Sequence, residues 1–132
     1  MRSALLLVLM LVANSAFAEP RVEVFTDHRR PVAHTDAFVD VTVYRLDGLA
    51  LAQEQLSEGL PSDPEEASRI AAQRLDAQPS LNEQMMRAGQ GLTLTHLQYR
   101  LDRYPAIVID GTTVIYGVTD LAIAYRLYEA NK

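Results

Sequence analysis

Four consecutive residues, Ala106-Ile107-Val108-Ile109, are apolar without alternation, and a strand of that kind must be covered on both faces. The requirement calls for packed layers on each side of a sheet and constrains the fold more tightly than any other segment. Asp110-Gly111 follows directly. This dipeptide suits a type I′ turn, whose two central residues both take positive φ. Thr112 to Tyr116 then reads as the returning strand of a C-terminal β-hairpin. Gly117 frees the chain to turn, Thr119 is placed to cap a last helix, and Asp120 falls in its first turn. Leu121, Ala124, Tyr125 and Tyr128 make one apolar face for packing on the sheet.

Upstream, Arg21 to Thr26 (RVEVFT) is rich in β-branched and aromatic residues and reads as a strand. Val39 to Leu46 alternates, with Val39, Val41 and Val43 on one face and Asp40, Thr42 and Tyr44 on the other, which suits a half-buried edge strand. Asp47-Gly48 marks a turn, and Leu49 to Leu60 is an ambiguous amphipathic stretch. Ser62-Asp63-Pro64-Glu65-Glu66 is a helix start, with Asp63 as cap and Pro64 at the first helical position. The buried stripe of that helix is Ala67, Ile70, Ala71 and Leu75. Pro79 interrupts it. Ser80 and Glu83 have capping-box spacing, so Leu81 to Ala88 reads as a further helical piece ending at Gly89. From Leu92 to Asp102 two readings stand: Leu94, Leu97, Leu101 and Tyr104 fit a helix, whereas Leu92, Leu94 and the threonines alternate as in a strand. The helix is favoured.

At the amino end, Met1-Arg2 precedes an unbroken apolar run, Ala4 to Ala13, and Ala16-Phe17-Ala18 has the small-x-small pattern of a signal peptidase site. The expected organisation is a signal peptide over 1-18, cleaved after Ala18, and one domain over 19-132. Ten apolar residues rise only about 15 Å as a helix, too short for a bilayer span. No stable membrane span is expected after signal cleavage, and the expected location is periplasmic. With 12 basic against 17 acidic residues the net charge is -5, which disfavours direct nucleic-acid binding. The chain has no cysteine; thiol nucleophiles, disulfide exchange and Cys-ligated zinc or iron-sulfur centres are thereby excluded.

The element order of strand, short connection, strand, helical region, hairpin and helix is the skeleton of the thioredoxin-like fold. The expected class is α/β, thioredoxin-like, with a central four-stranded mixed sheet, a C-terminal β-hairpin and flanking helices. Three features carry a narrower resemblance: the strand VEVFTD, an Arg/His-containing turn ending in Pro-Val, and the ending YPAIVIDGTTVIYGVTDLAIAY. Over roughly Val22 to Tyr128 the chain resembles exported, cysteine-free thioredoxin-like proteins carried on integrating conjugative elements. The resemblance implies a place on the periplasmic side of a conjugative type IV secretion system, with other conjugation-apparatus proteins as partners. It implies no catalytic residue and no cofactor. Where redox relatives of the fold carry Cys-x-x-Cys, this chain has Thr26-Asp27-His28-Arg29-Arg30-Pro31. Only twelve residues, Asp27 to Phe38, link the first two strands, near the minimum for a parallel crossover, so any helix there must be short.

The candidate partner-binding residues are Asp27, His28, Arg29 and Arg30 in that turn, with Tyr104 and Pro105 before the buried strand. An X-Pro bond is cis in only about 5 to 6% of cases, but the fold resemblance implies cis at Tyr104-Pro105. Such a loop offers main-chain groups to an extended segment, as a periplasmic chaperone would use; equally, Pro105 serves only to set the entry of the strand. Asp27, His28, His34 and Asp36 also form a metal-capable or acid-base cluster for an enzyme, although their spacing matches no paired ligand motif, and no metal is assigned. The tyrosines and Met85-Met86 read as packing residues. The five acids from Glu54 to Glu66 read as a solvated face.

Overall fold

A computed structural model describes residues 19–132; the expected signal peptide and its cleavage site lie outside the described residues. The structure is α/β, built on one four-stranded mixed sheet of order β2-β1-β3-β4. Strand β1 (Arg21–Thr26) pairs in parallel with β2 (Asp40–Arg45) and antiparallel with β3 (Ala106–Ile109), and β3 pairs antiparallel with β4 (Thr113–Tyr116). This arrangement is compatible with a thioredoxin-like fold. The short β1–β2 crossover holds a single 3-10 turn, Thr35–Ala37.

Strand alternation sends the central residues to two separate cores. Val22, Val24, Ile107 and Ile109 pack with Phe38 and with Leu121 and Ala124 of α4 (Leu121–Ala130). Phe25, Ala106 and Val108 face the other way, onto Leu46 and Leu101 and the partly buried Tyr44, Leu92, Leu94 and Tyr99. Every residue of β3 is buried, as an apolar run covered from both sides requires. Val41 and Val43 of the edge strand β2 pack on the first core, but Val39 does not join them: it precedes the strand and is 78% exposed, while its neighbour Phe38 turns inward.

The hairpin turn has positive φ at both Asp110 and Gly111, and the Thr112 amide donates to the Ile109 carbonyl, as a I′ turn needs. The ladder, however, resumes one residue later than expected, at Ile109 opposite Thr113, so the loop has three residues, Asp110 to Thr112. Asp110 is also held from outside the hairpin, because its Oδ1 accepts from the Arg21 amide at 2.9 Å. The final helix is capped by Asp120, whose carboxylate accepts from the Ala122 amide, and not by Thr119.

Three helices fill the middle of the chain. The ambiguous stretch after Asp47 is α1 (Gly48–Ser57). In α2 (Pro64–Ala77) Asp63 caps and Pro64 opens the helix as expected, but the stripe of Ala67, Ile70, Ala71 and Leu75 is only half-buried. Pro79 separates α2 from α3 (Pro79–Thr93) by taking its first position, and the Ser80–Glu83 capping box does not form. Helix α3 does not stop at Gly89. It runs to Thr93 and continues as a π turn over Leu94–Gln98, ending with Arg100 at positive φ. Packing overrides the glycines here: a Cβ on Gly91 would lie 2.7 Å from Tyr44 Cβ and 3.0 Å from Leu46 Cδ2, so this glycine is what lets α3 approach β2. Met86 is 62% exposed and fills no core, whereas Met85 is half-buried. Among the described residues no helix is long and apolar enough to cross a membrane.

The two α3 glycines should respond oppositely to substitution. Gly91→Ala overpacks the α3–β2 contact and should lower stability by about 1–3 kcal/mol. A Cβ on Gly89 meets nothing within 4 Å, so Gly89→Ala should stabilise by up to about 1 kcal/mol through helix propensity. Denaturant unfolding of both variants measures the contrast.

Candidate functional site

The parallel register places the first candidate residue. Thr26 stands opposite Arg45, and continuing that offset past the strand ends sets His28 opposite Asp47. The His28 amide donates to both Asp47 carboxylate oxygens at 3.3 Å, and its ring Nδ1 hydrogen-bonds Asp47 Oδ2. Asp47 is the residue before α1, yet it makes no side-chain cap there, because its carboxylate is spent on His28. Burial alone would raise the Asp47 pKa, but the ring and backbone hydrogen bonds from His28, together with its charge, outweigh burial and leave it lowered. With Nδ1 directed at the carboxylate, Nε2 is the ring nitrogen left for other chemistry.

The rest of the turn is braced from within. Asp27 Oδ1 accepts from the Arg29 and Arg30 amides at 3.0 and 3.1 Å, an Asx turn, and its Oδ2 accepts from Arg30 Nη1 at 3.4 Å. Thr26 Oγ1 donates to the Arg30 carbonyl at 2.9 Å. The turn therefore presents the exposed side chains of His28, Arg29 and Arg30 on a fixed backbone. Tyr104-Pro105 is cis, and Tyr104 is 44% exposed. Asp27, His28, Arg29 and Tyr104 border one cleft of about 300 Å³, together with Asp47 and the start of α1. Arg30, Asp47 and Tyr104 border a second, of about 500 Å³, whose far wall is the π turn. All six candidate partner-binding residues thus belong to one end of the sheet. On its other flank His28 borders a cleft of about 440 Å³ with Arg45, Glu83 and Arg87.

The acid-base and metal cluster read from sequence does not assemble. His28 pairs with Asp47, whereas His34 Nδ1 lies 2.8 Å from Asp120 Oδ1 at the start of α4, and Asp36 sits exposed in the 3-10 turn. The hydrogen bond from His34 lowers the Asp120 pKa; desolvation opposes it, and the Ala122 amide and the charge of His34 add to the lowering. Among the described residues no group of three or more His, Asp or Glu side chains is placed to hold a metal ion.

Sequence reasoning missed the two aspartates as histidine partners. Asp47 was recoverable from the strand register, since it lies nineteen positions after His28, the offset of every β1–β2 pair. Asp120 was not recoverable, because its approach to His34 depends on the Ala33–Asp120 bridge between a loop and a helix start. A third omission is Glu23, 7% exposed on β1, whose Oε1 accepts from the Tyr99 hydroxyl and lies 3.6 Å from Arg21 Nε. Burial, and then the hydrogen bond to Glu23, raises the Tyr99 pKa.

A family model described as "Protein of unknown function (DUF1525)" matches residues 19–132. The chain belongs to the DUF1525 family. No curated protein and no solved structure matches it. The DUF1525 match spans both halves of the site, the turn after β1 and the loop before β3.

Because the Asp47 carboxyl titrates lower in the folded protein than it would unfolded, it contributes stability above the ordinary carboxylate range, and that contribution disappears as pH falls through the folded value. Asp47→Asn should therefore cost about 0.2–1 kcal/mol near neutral pH, as partly exposed ion pairs do, and the difference from wild type should close on acidification. Carboxyl NMR titration of His28→Ala should show the Asp47 pKa rising.

Proposed function

We propose that this protein is an exported, non-enzymatic interaction component of the conjugative DNA-transfer (type IV secretion) machinery of an integrating conjugative element, acting in the periplasm after cleavage behind Ala18. The observation that carries the reading is the convergence of the Asp27–Arg30 turn and the Tyr104-Pro105 loop at one sheet end in a chain without thiols. A braced turn with exposed Arg29 and Arg30 beside an exposed tyrosine has the makeup of a recognition surface, since arginine and tyrosine are the residues that anchor protein interfaces. The sequence resemblance supplies the setting. The partners are other proteins of the apparatus, with no cofactor and no direct contact with DNA.

The mode of contact within this reading is extended-segment binding, the chaperone-like version of the same surface. No hydrogen bond among the described residues engages the Tyr104 backbone, while the Pro105 carbonyl is taken by the Gly117 amide at 2.9 Å. Tyr104 is therefore the residue with main-chain groups to offer a partner strand. A second reading rests on one observation: the His28–Asp47 pair, with Nε2 free beside two clefts, is the arrangement of an oriented general base. It reduces the enzyme alternative to those two residues, without His34 or Asp36.

Deleting the gene in a donor of the mobile element should reduce transfer, and supplying it in trans should restore it. A variant with Arg29→Glu and Tyr104→Ala should fold with an unchanged melting temperature yet fail to restore transfer or to capture apparatus proteins. Unaltered transfer after deletion, with no apparatus component recovered on the wild-type protein, would overturn the proposal.

A further inference from the structure

The cleft between the β1 turn and the π turn has an interior that the surface reading above does not use. Thr95, the second residue of the π turn, is 5% exposed, and its Oγ1 has no hydrogen-bond partner among the described residues. Thr95 lines this cleft of about 500 Å³ together with His96, Arg30, Arg103, Leu92 and Leu101. A buried hydroxyl without a partner is costly, so one is retained where something else satisfies it. π turns widen a helix by one residue and recur at functional sites.

The charges around Thr95 decide what that something is. Of the two aspartates on the cleft wall, Asp47 is already engaged by the ring and amide of His28. Asp102, at an exposed position, is the one lining acid whose carboxylate has no partner among the described residues. Against it stand two guanidiniums and an imidazole. Arg30 commits only Nη1 to Asp27, and Arg103 holds its guanidinium carbon 4.3 Å from the centroid of the Tyr116 ring, with no hydrogen-bond or ion-pair partner for its N–H groups among the described residues. Donors therefore exceed free acceptors, and the leucines supply an apolar wall beside them. We propose that this cleft is a ligand site for a carboxylate carried on an apolar stem, the carboxylate taking the Thr95 hydroxyl and the arginine N–H groups while the stem lies against Leu92 and Leu101. The carboxylate comes either from a free small acid or from the C-terminus of an apolar-ended chain; both present the same chemistry. The cleft shares Arg30 and Tyr104 with the surface described above, but the inference does not depend on the conjugative role proposed for it.

The test titrates isotope-labelled protein with N-acetyl-Ala-Ala-Leu bearing a free C-terminal carboxylate, with the same peptide amidated, and with isocaproate. The free acid peptide should move the backbone amide signals of Thr95, His96 and Arg103, and amidation should weaken it by about tenfold or more. Thr95→Val should weaken binding by a similar factor with a melting temperature equal to or above wild type, because it removes an unpartnered buried hydroxyl without changing shape. Thr95→Ser should restore binding, and Arg103→Gln should weaken it. Isocaproate binding as tightly as the peptide identifies a small acid as the source; tighter peptide binding identifies a chain terminus. Equal binding of the amidated peptide, undiminished binding by Thr95→Val, or no shift with either acid would each overturn the inference.

Discussion

Everything in this molecule is referred to β1, the one strand in the sheet with a parallel partner on one edge and an antiparallel partner on the other. Its parallel partner sets where the chain resumes after a crossover too short for a full helix, and its antiparallel partner brings the C-terminal hairpin alongside. Because a strand turns successive side chains to opposite faces, this single element seeds both cores, with Val22 and Val24 on one side and Phe25 on the other. It also carries a buried carboxylate, Glu23, into the second core, where Tyr99 and Arg21 answer it. A buried acid is tolerable only with such partners.

The same register carries the site. Parallel strands bring their carboxyl ends to one edge, and the residues just beyond β1 and β2 therefore meet: His28 with Asp47. The loop before β3 arrives at that edge because β3 runs antiparallel to β1, so its start lies beside the end of β1. Three segments far apart in sequence thus converge with no element devoted to holding them together. What differs among the three is stiffness. The β1 turn is tied by an Asx turn, the Arg30–Asp27 ion pair and the His28–Asp47 hydrogen bond, whereas the Tyr104 backbone makes no hydrogen bond among the described residues.

Local signals were legible where they were strong and local. The apolar run of β3, the Asp-Gly turn, Asp63-Pro64 at the start of α2 and the break at Pro79 all appear as the residues dictate. Two failures are local, one residue's difference in a helix start: Asp120 and not Thr119 caps α4, and Pro79 and not Ser80 opens α3. The others come from packing partners distant in sequence. Gly89 reads as a helix end, yet α3 continues because Gly91 is pressed on Tyr44. Val39 alternates correctly with Val41, but the chain has not yet entered the sheet, and Phe38 takes the buried position. The turn and the loop before β3 are the segments the sequence singles out, and the fold brings them to one end of the sheet; the acids that organise the histidines are not legible there, since Asp47 looks like an ordinary turn residue and Asp120 like an ordinary helix start. The unpartnered Thr95 has no sequence signature at all, because burial and lack of a partner are properties of the folded chain.

Helix α2 differs from its neighbours in having no buried residue, and its stripe of small side chains is only half covered. Such an element can detach while both cores stay intact, since regions with few buried apolar contacts open at lower free energy than the whole. The acids leading into it, Glu54 to Glu66, are all exposed and sit at one margin of the fold. What ties α2 down is polar, Arg74 Nη1 donating to the Leu56 and Glu58 carbonyls at 3.0 and 2.6 Å, so this acidic margin is the least anchored part of the fold and its amides exchange hydrogen with solvent sooner than those of β1 and β3.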